Sequence, residues 1–274
     1  MKYFPNADHA KTLTTEELRS CFLVADLFTP GAVQLRVIDL DRVVLAGVVP
    51  THGPLKLEAP EELRAEYFME RREAGILNIG GPGRITVDGT VHAMSARDVL
   101  YIGRGSRDIT FETDDPSKPA RFYLVSYPAH SGYPTVRITP QDASQNALGD
   151  AETANSRRIF RYIHADGARS AQLVMGVTVL DKGSVWNTMP AHTHGRRTEV
   201  YLYFDLAKDA VVFHLMGEPA ETRVLVARDG EAALSPGWSV HAGCGTSSYG
   251  FCWAMGGENQ DYADMRPVPM ETIR

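Results

Sequence analysis

Short β-branched and aromatic runs, each cut off by Gly, Pro, Asn or Asp, fill most of this 274-residue chain. Residues 33–39, 76–79, 84–87, 99–102, 109–112 and 122–125 form one series of such runs. Residues 172–180, 200–204, 211–216, 222–227, 232–234 and 249–255 form a second. Such runs are shorter than ordinary helices, and their residue types pack best on a pleated, half-buried surface. Turn signals spaced about eight to twelve residues apart predict sandwiches or barrels. Asp88-Gly89, between Ile85-Thr86-Val87 and Thr90-Val91-His92, has the composition of a two-residue hairpin turn, and Asp229-Gly230 repeats it.

Helical signals are few. Thr14 opens a capping box closed by Glu17, flanked by Leu13 and Leu18 as a hydrophobic staple. This predicts a short helix over about residues 15–22, with Leu18 and Phe22 on one face. Pro60, followed by Glu61 and Glu62, predicts a second helix start. The expected fold class is all-β with minor α.

Residues 138–155 carry little apolar periodicity and mark a domain junction, giving domains at 1–145 and 146–274. An internal repeat supports this division. Arg71-Arg72-Glu73-Ala74-Gly75-Ile76 resembles Arg196-Arg197-Thr198-Glu199-Val200-Tyr201, and Asp98-Val99-Leu100-Tyr101-Ile102-Gly103 resembles Ala232-Ala233-Leu234-Ser235-Pro236-Gly237, in the same order.

Composition narrows the function. A formal net charge of −6 without a Lys/Arg block argues against nucleic acid as a partner. Apolar runs such as Ala210-Val211-Val212-Phe213 are far too short to span a membrane. The opening MKYFPNADHA has no secretory pattern. Three cysteines, Cys21, Cys244 and Cys252, without a CxxC pair do not make a disulfide framework. A cytoplasmic protein is expected.

The chemistry is concentrated in Pro190-Ala191-His192-Thr193-His194-Gly195-Arg196-Arg197-Thr198-Glu199. Two residues apart on a strand, His192 and His194 project from one face. A turn at Gly195-Arg196-Arg197 would set Glu199 on the next strand, within reach of both imidazoles. Downstream, Ser235-Pro236-Gly237-Trp238-Ser239-Val240-His241 reads as a Pro-Gly turn feeding a strand that ends in His241. Three imidazoles and one carboxylate suit Zn, Fe, Mn or Ni better than Ca or Mg. The first half has no such set. The repeat places Glu66 to Phe68 opposite His192 and His194, and Arg107 opposite His241, while His52, His92 and His130 read as ordinary histidines. One metal site per chain is expected.

This ligand order resembles that of the cupin superfamily, which implies two cupin-type β-barrel or jelly-roll domains with the metal in the C-terminal one. The segments starting Phe68-Met69-Glu70-Arg71-Arg72, Trp186-Asn187-Thr188-Met189-Pro190, Val212-Phe213-His214-Leu215-Met216 and Gly257-Glu258-Asn259-Gln260 resemble the 4-deoxy-L-threo-5-hexosulose-uronate ketol-isomerase family more narrowly. Gly195 and Thr198 depart from that family's usual Glu and Met, beside the ligands rather than at them. The resemblance implies one Zn2+ per subunit at His192, His194, Glu199 and His241, and a homohexamer. It also implies isomerisation of 5-dehydro-4-deoxy-D-glucuronate to 3-deoxy-D-glycero-2,5-hexodiulosonate in pectin and uronate degradation.

Such a reaction moves a proton between neighbouring carbons through an enediolate and needs a proton-transfer group. Candidates are Glu199, Tyr201, Tyr203, His214 and Glu258. Tyr201 and Tyr203 share Glu199's strand face and are expected to point inward. The opposite face, Val200, Leu202 and Phe204, is expected to be covered by another sheet or subunit. Arg196 and Arg197 are candidates for the substrate carboxylate, Met189 for the pocket wall and Trp186 for the core. The rival readings are 5-deoxyglucuronate isomerase, a cupin dioxygenase, and a non-catalytic sugar-acid-binding cupin with a structural metal.

Overall fold

A computed structural model describes residues 1–261 and 263–274. The chain divides into two compact all-β units. The first comprises Met1–Lys2, Asp26–Ser144 and Tyr162–Val174, and the second Tyr3–Ala25, Gln145–Arg161 and Met175–Arg274.

The first unit is built on a six-stranded antiparallel sheet in the order Val136–Ile138, Val99–Ile102, Arg72–Asn78, Phe122–Pro128, Val44–Val48, Val33–Val37. A four-stranded sheet runs Leu55–Lys56, Ile109–Thr113, Gly83–Val87, Thr90–Met94. One core joins the inner faces, where Val44, Ala46, Ile76 and Leu124 meet Ile85, Ile109 and Phe111. Each fully buried side chain of this size contributes roughly 1.5–3 kcal/mol. Asp88 and Gly89 both have positive φ, 47° and 82°, and join strands paired Val87 to Thr90. That is the expected hairpin, in the primed turn that matches strand twist. The helix expected after Pro60 is one 3-10 turn, Glu61–Leu63, stopped where Arg64 turns left-handed at φ 47°.

The second unit carries a seven-stranded sheet in the order Leu23–Val24, Ala232–Ser235, Arg197–Phe204, Gly250–Gly257, Val174–Leu180, Arg157–Ile163, Ser144–Leu148. A four-stranded sheet runs Trp186–Asn187, Ala242–Gly245, Val212–Glu218, Glu221–Ala227, and His192–His194 pairs with Met265–Pro267. The unperiodic stretch at 138–155 therefore contains a strand. Ser144–Leu148 is an edge strand exposed along most of its length, so no inward-outward alternation marks it. Asp229-Gly230 is not a hairpin, because the strands on either side of it belong to different sheets. It is a corner, fixed by a hydrogen bond from the Gly230 N–H to the carbonyl of Tyr203.

The helix Thr15–Phe22 has its capping box, with Thr14 and Glu17 bonding reciprocally. Its buried face carries Leu18 and Phe22, and the Phe22 ring meets Trp238 edge-on at 6.2 Å. Arg223 donates to the carbonyls of Ala10, Lys11 and Leu13 just before it, tying this segment to the second unit. The two units repeat one strand order. Val99–Ile102, Arg72–Asn78, Phe122–Pro128 and Val44–Val48 stand as Ala232–Ser235, Arg197–Phe204, Gly250–Gly257 and Val174–Leu180 do. The strands that share the Arg-Arg and Leu100/Leu234 motifs thus occupy equivalent places.

Candidate metal centre

His192 and His194 lie on one short strand, and their Nε2 atoms are 3.2 Å apart. Gly195 and Arg196 make the connection to the strand Arg197–Phe204, which brings in Glu199. Glu199 Oε2 lies 3.2 Å from His194 Nε2 and 2.8 Å from His241 Nε2. His241 Nε2 lies 3.0 Å from His192 Nε2. His241 does not end a strand; it follows a turn closed by the Ser239 N–H on the Pro236 carbonyl and precedes the strand Ala242–Gly245. Gly237 lets that turn pack against the ligand strands, since a Cβ there would stand 2.6 Å from the carbonyl oxygen of His194.

The ligand atoms of His192, His194, Glu199 and His241 all lie within 4.8 Å of one another, the only such group among the described residues. His194, Glu199 and His241 are buried and His192 is half-buried. Two observations fit this set to a cation. Glu199 Oε2 is enclosed yet makes no well-directed hydrogen bond, an arrangement that costs about 1–3 kcal/mol if left uncompensated. In addition, His194 Nδ1 faces Asp264 Oδ1 at 3.3 Å, so that nitrogen carries the proton and Nε2 turns a lone pair toward the cluster. Three ring nitrogens and an anionic oxygen thus converge on one point.

The electrostatics differ from ring to ring. Burial, with the neighbouring His241 second, pushes the His192 imidazolium down to about 3, which keeps that ring neutral. At His194 burial also acts downward, but Glu199 and Asp264 outweigh it and hold the pKa above the usual histidine value. Burial acts upward on Glu199, and His241 and His194 overcome it, holding the carboxyl below its usual range and ionised.

His192, His194 and Glu199 form part of the wall of a cavity of about 360 Å³ within the second unit. Tyr201, Phe251, Trp253 and Met255 form an aromatic and thioether wall, and Thr188 and Met189 flank the ligands. Tyr201 is buried, with its hydroxyl 3.0 Å from Thr188 Oγ1, and burial holds its phenol well above the usual tyrosine pKa. Tyr203 also points inward but does not line the cavity; its hydroxyl bonds His214 Nδ1 at 2.7 Å. Behind it His214 is fully buried, and burial pushes its pKa down to about 3. Val200, Leu202 and Phe204, on the other face, are buried within a single chain. Trp186 is half-buried rather than a core residue.

Three further candidates lie off the cavity. Glu258 is exposed and pairs with Arg196 at 3.1 Å. Arg197 is fully buried and donates to the carbonyls of Glu258, Asn259 and Asp261, with its Nε 3.4 Å from Asp264. Its fork is committed to the loop that delivers Asp264 to His194. Two arginines the sequence reading passed over, Arg157 and Arg161, line the cavity instead. The signal was available in the alternation Arg157-x-Ile159-x-Arg161, all three on one strand face. In the first unit, Arg107 and Glu66, the counterparts of ligand positions, form a surface ion pair at 3.3 Å. His52 and His130 are exposed and His92 is half-buried.

A sequence profile described as the KduI/IolB family matches residues 33–268. The chain belongs to that family. Its relatives include a 4-deoxy-L-threo-5-hexosulose-uronate ketol-isomerase of Halalkalibacterium halodurans, 48% identical over 273 residues and covering 100% of this chain and 99% of the relative. The enzyme of the same name from Lachnoclostridium phytofermentans is 51% identical over 264 residues, covering 96% of each chain. Among solved structures, an IolB-like protein from Salmonella typhimurium superposes with a TM-score of 0.71 at 12% identity, over 90% of this chain and 96% of the other. Oxalate decarboxylase from Lactobacillus farciminis gives 0.58 at 11% identity, over 89% of each chain. At such identities the likeness speaks for the fold, and the fold is the two-domain cupin type.

Proposed function

We propose that the chain is a metal-dependent ketol-isomerase that converts 5-dehydro-4-deoxy-D-glucuronate to 3-deoxy-D-glycero-2,5-hexodiulosonate. The observation that carries this reading is a three-histidine, one-glutamate cluster opening on a sugar-sized cavity, in a chain about half identical, end to end, to proteins of that name. A cavity of about 360 Å³ falls within the range of small-molecule sites.

Isomerisation removes the proton from the hydroxyl-bearing carbon and returns one to the neighbouring aldehyde carbon, with charge developing on two adjacent oxygens. A divalent cation at His192, His194, Glu199 and His241 supplies Lewis-acid stabilisation of that charge. Zinc, at one per chain, is the cation that the family resemblance implies, and this nitrogen-rich donor set suits it. Glu199 stays ionised and contributes the only anionic ligand. Phe251, Trp253 and Met255 exclude water. Tyr201, whose phenol stays protonated at neutral pH, is placed to donate to a substrate oxygen. Tyr201→Phe should therefore lower kcat by about 10²-fold, the usual worth of one positioned donor, while elemental analysis still finds a full complement of metal. An unchanged kcat would remove Tyr201 from the reaction.

A cytoplasmic enzyme assembled as a hexamer belongs to the same reading, supported by the family resemblance. No helix among the described residues is long and apolar enough to cross a membrane. The deciding experiment incubates metal-replete protein with the keto-deoxyuronate and, separately, with 5-deoxyglucuronate. Turnover of the first substrate, lost on chelation and restored by Zn2+, supports the proposal; turnover of 5-deoxyglucuronate alone overturns it.

A further inference from the structure

The substrate of the proposed reaction carries a carboxylate at the far end of its six-carbon chain from the reacting carbons. The cavity must hold that charge against a largely apolar wall. The arginines nearest the ligands in sequence do not supply the countercharge, because Arg197 is committed to its loop and Arg196 is paired with Glu258 outside the cavity.

We infer that Arg157 binds the substrate carboxylate and sets the enzyme's preference for acidic sugars. Arg157, Ile159 and Arg161 face the cavity together from the strand Arg157–Ile163. Arg157 is half-buried and makes one hydrogen bond, from its guanidinium to the carbonyl of Asn155 at 2.8 Å. No ion pair holds it among the described residues. A guanidinium has five N–H donors, so most remain for a ligand, in the forked geometry that matches a carboxylate. Burial draws its pKa below the usual guanidinium value, while the nearby phenols of Tyr201 and Tyr249 act in the opposite direction. It remains charged at neutral pH. Tyr201 connects the two ends of the site: its ring centroid lies 5.5 Å from that of His241, and it lines the same cavity as Arg157. A sugar acid with its carboxylate on Arg157 directs its other end past Tyr201 toward the metal ligands. Arg161, two positions further along that face, extends the positive wall.

This inference rests on the ketol-isomerase reading, and the test separates the two. Wild type, Arg157→Ala, Arg157→Gln and Arg157→Lys are compared in steady-state turnover of the keto-deoxyuronate and of its methyl ester. Binding of the methyl glycoside of D-galacturonate, whose blocked anomeric carbon cannot open to the aldehyde, is measured by calorimetry, and metal by elemental analysis. The expected result is a KM raised about 30- to 100-fold in Arg157→Ala and Arg157→Gln, the worth of charge-assisted hydrogen bonds. The change in kcat should stay within about fivefold, with full metal content and partial recovery of KM in Arg157→Lys. Wild-type preference for acid over ester should collapse in Arg157→Ala, and glycoside binding should weaken in parallel. Wild-type KM and glycoside affinity in a metal-replete Arg157→Ala would overturn the inference. If wild type turns over no uronate, the isomerase reading fails, and the calorimetric comparison alone decides whether Arg157 holds a carboxylate.

Discussion

Glu199→Ala is expected to lose its metal on dialysis and at least about 10³-fold in kcat/KM, the scale on which an electrostatic catalyst acts. Glu199 is the only anion in the ligand set, and its buried oxygen has no other well-directed partner. Removing it leaves three imidazoles facing one another at 3.0–3.2 Å with no carboxylate among them. They bind a dication more weakly once the compensating charge is gone. Glu199→Gln sharpens the test, since it keeps the shape and removes the charge. Elemental analysis alongside turnover checks both variants. Full activity at negligible metal content would end the case for metal-dependent isomerisation.

The second large effect is expected at a residue that touches neither metal nor substrate. Arg197→Met should destabilise the second unit by roughly 3–5 kcal/mol, the usual cost of breaking a buried ion pair by removing one partner. The substitution strips donors from the carbonyls of Glu258, Asn259 and Asp261 and leaves the Asp264 carboxylate without its nearest cation. Metal affinity should fall as well, by about 10- to 100-fold, because Asp264 orients His194 and partners of this kind carry that much. Thermal unfolding and a competitive metal titration measure the two effects. A variant with wild-type melting temperature and metal affinity would show that something other than Arg197 holds the loop. Asp264→Asn should reproduce the affinity loss with a smaller change in stability.

The ligands were legible because their chemistry is written in local spacing. HxH on a strand, a two-residue connection to Glu199 and a Pro-Gly turn before His241 all act over a few residues. The capping box of Thr15–Phe22 is equally local. What could not be read depends on distant partners. Nothing around Arg196 and Arg197 indicates that one pairs with Glu258 in solvent while the other is buried on carbonyls some sixty residues away. Arg157 and Arg161 face the cavity only because their strand lies beside Val174–Leu180 in the sheet. Ser144–Leu148 was hidden because an edge strand open to solvent needs no apolar face. Asp229-Gly230 has hairpin composition, yet the Tyr203 carbonyl holds it as a corner between sheets.

The two-residue strand Leu23–Val24 lies against Ala232–Ser235 and completes that side of the seven-stranded sheet. Its contribution is protective: a bare strand edge invites another molecule to pair with it. A truncated gene beginning at residue 146 would encode every metal ligand and still yield a sticky, aggregation-prone product, because the piece that seals the sheet is translated first, more than two hundred residues before the edge it covers.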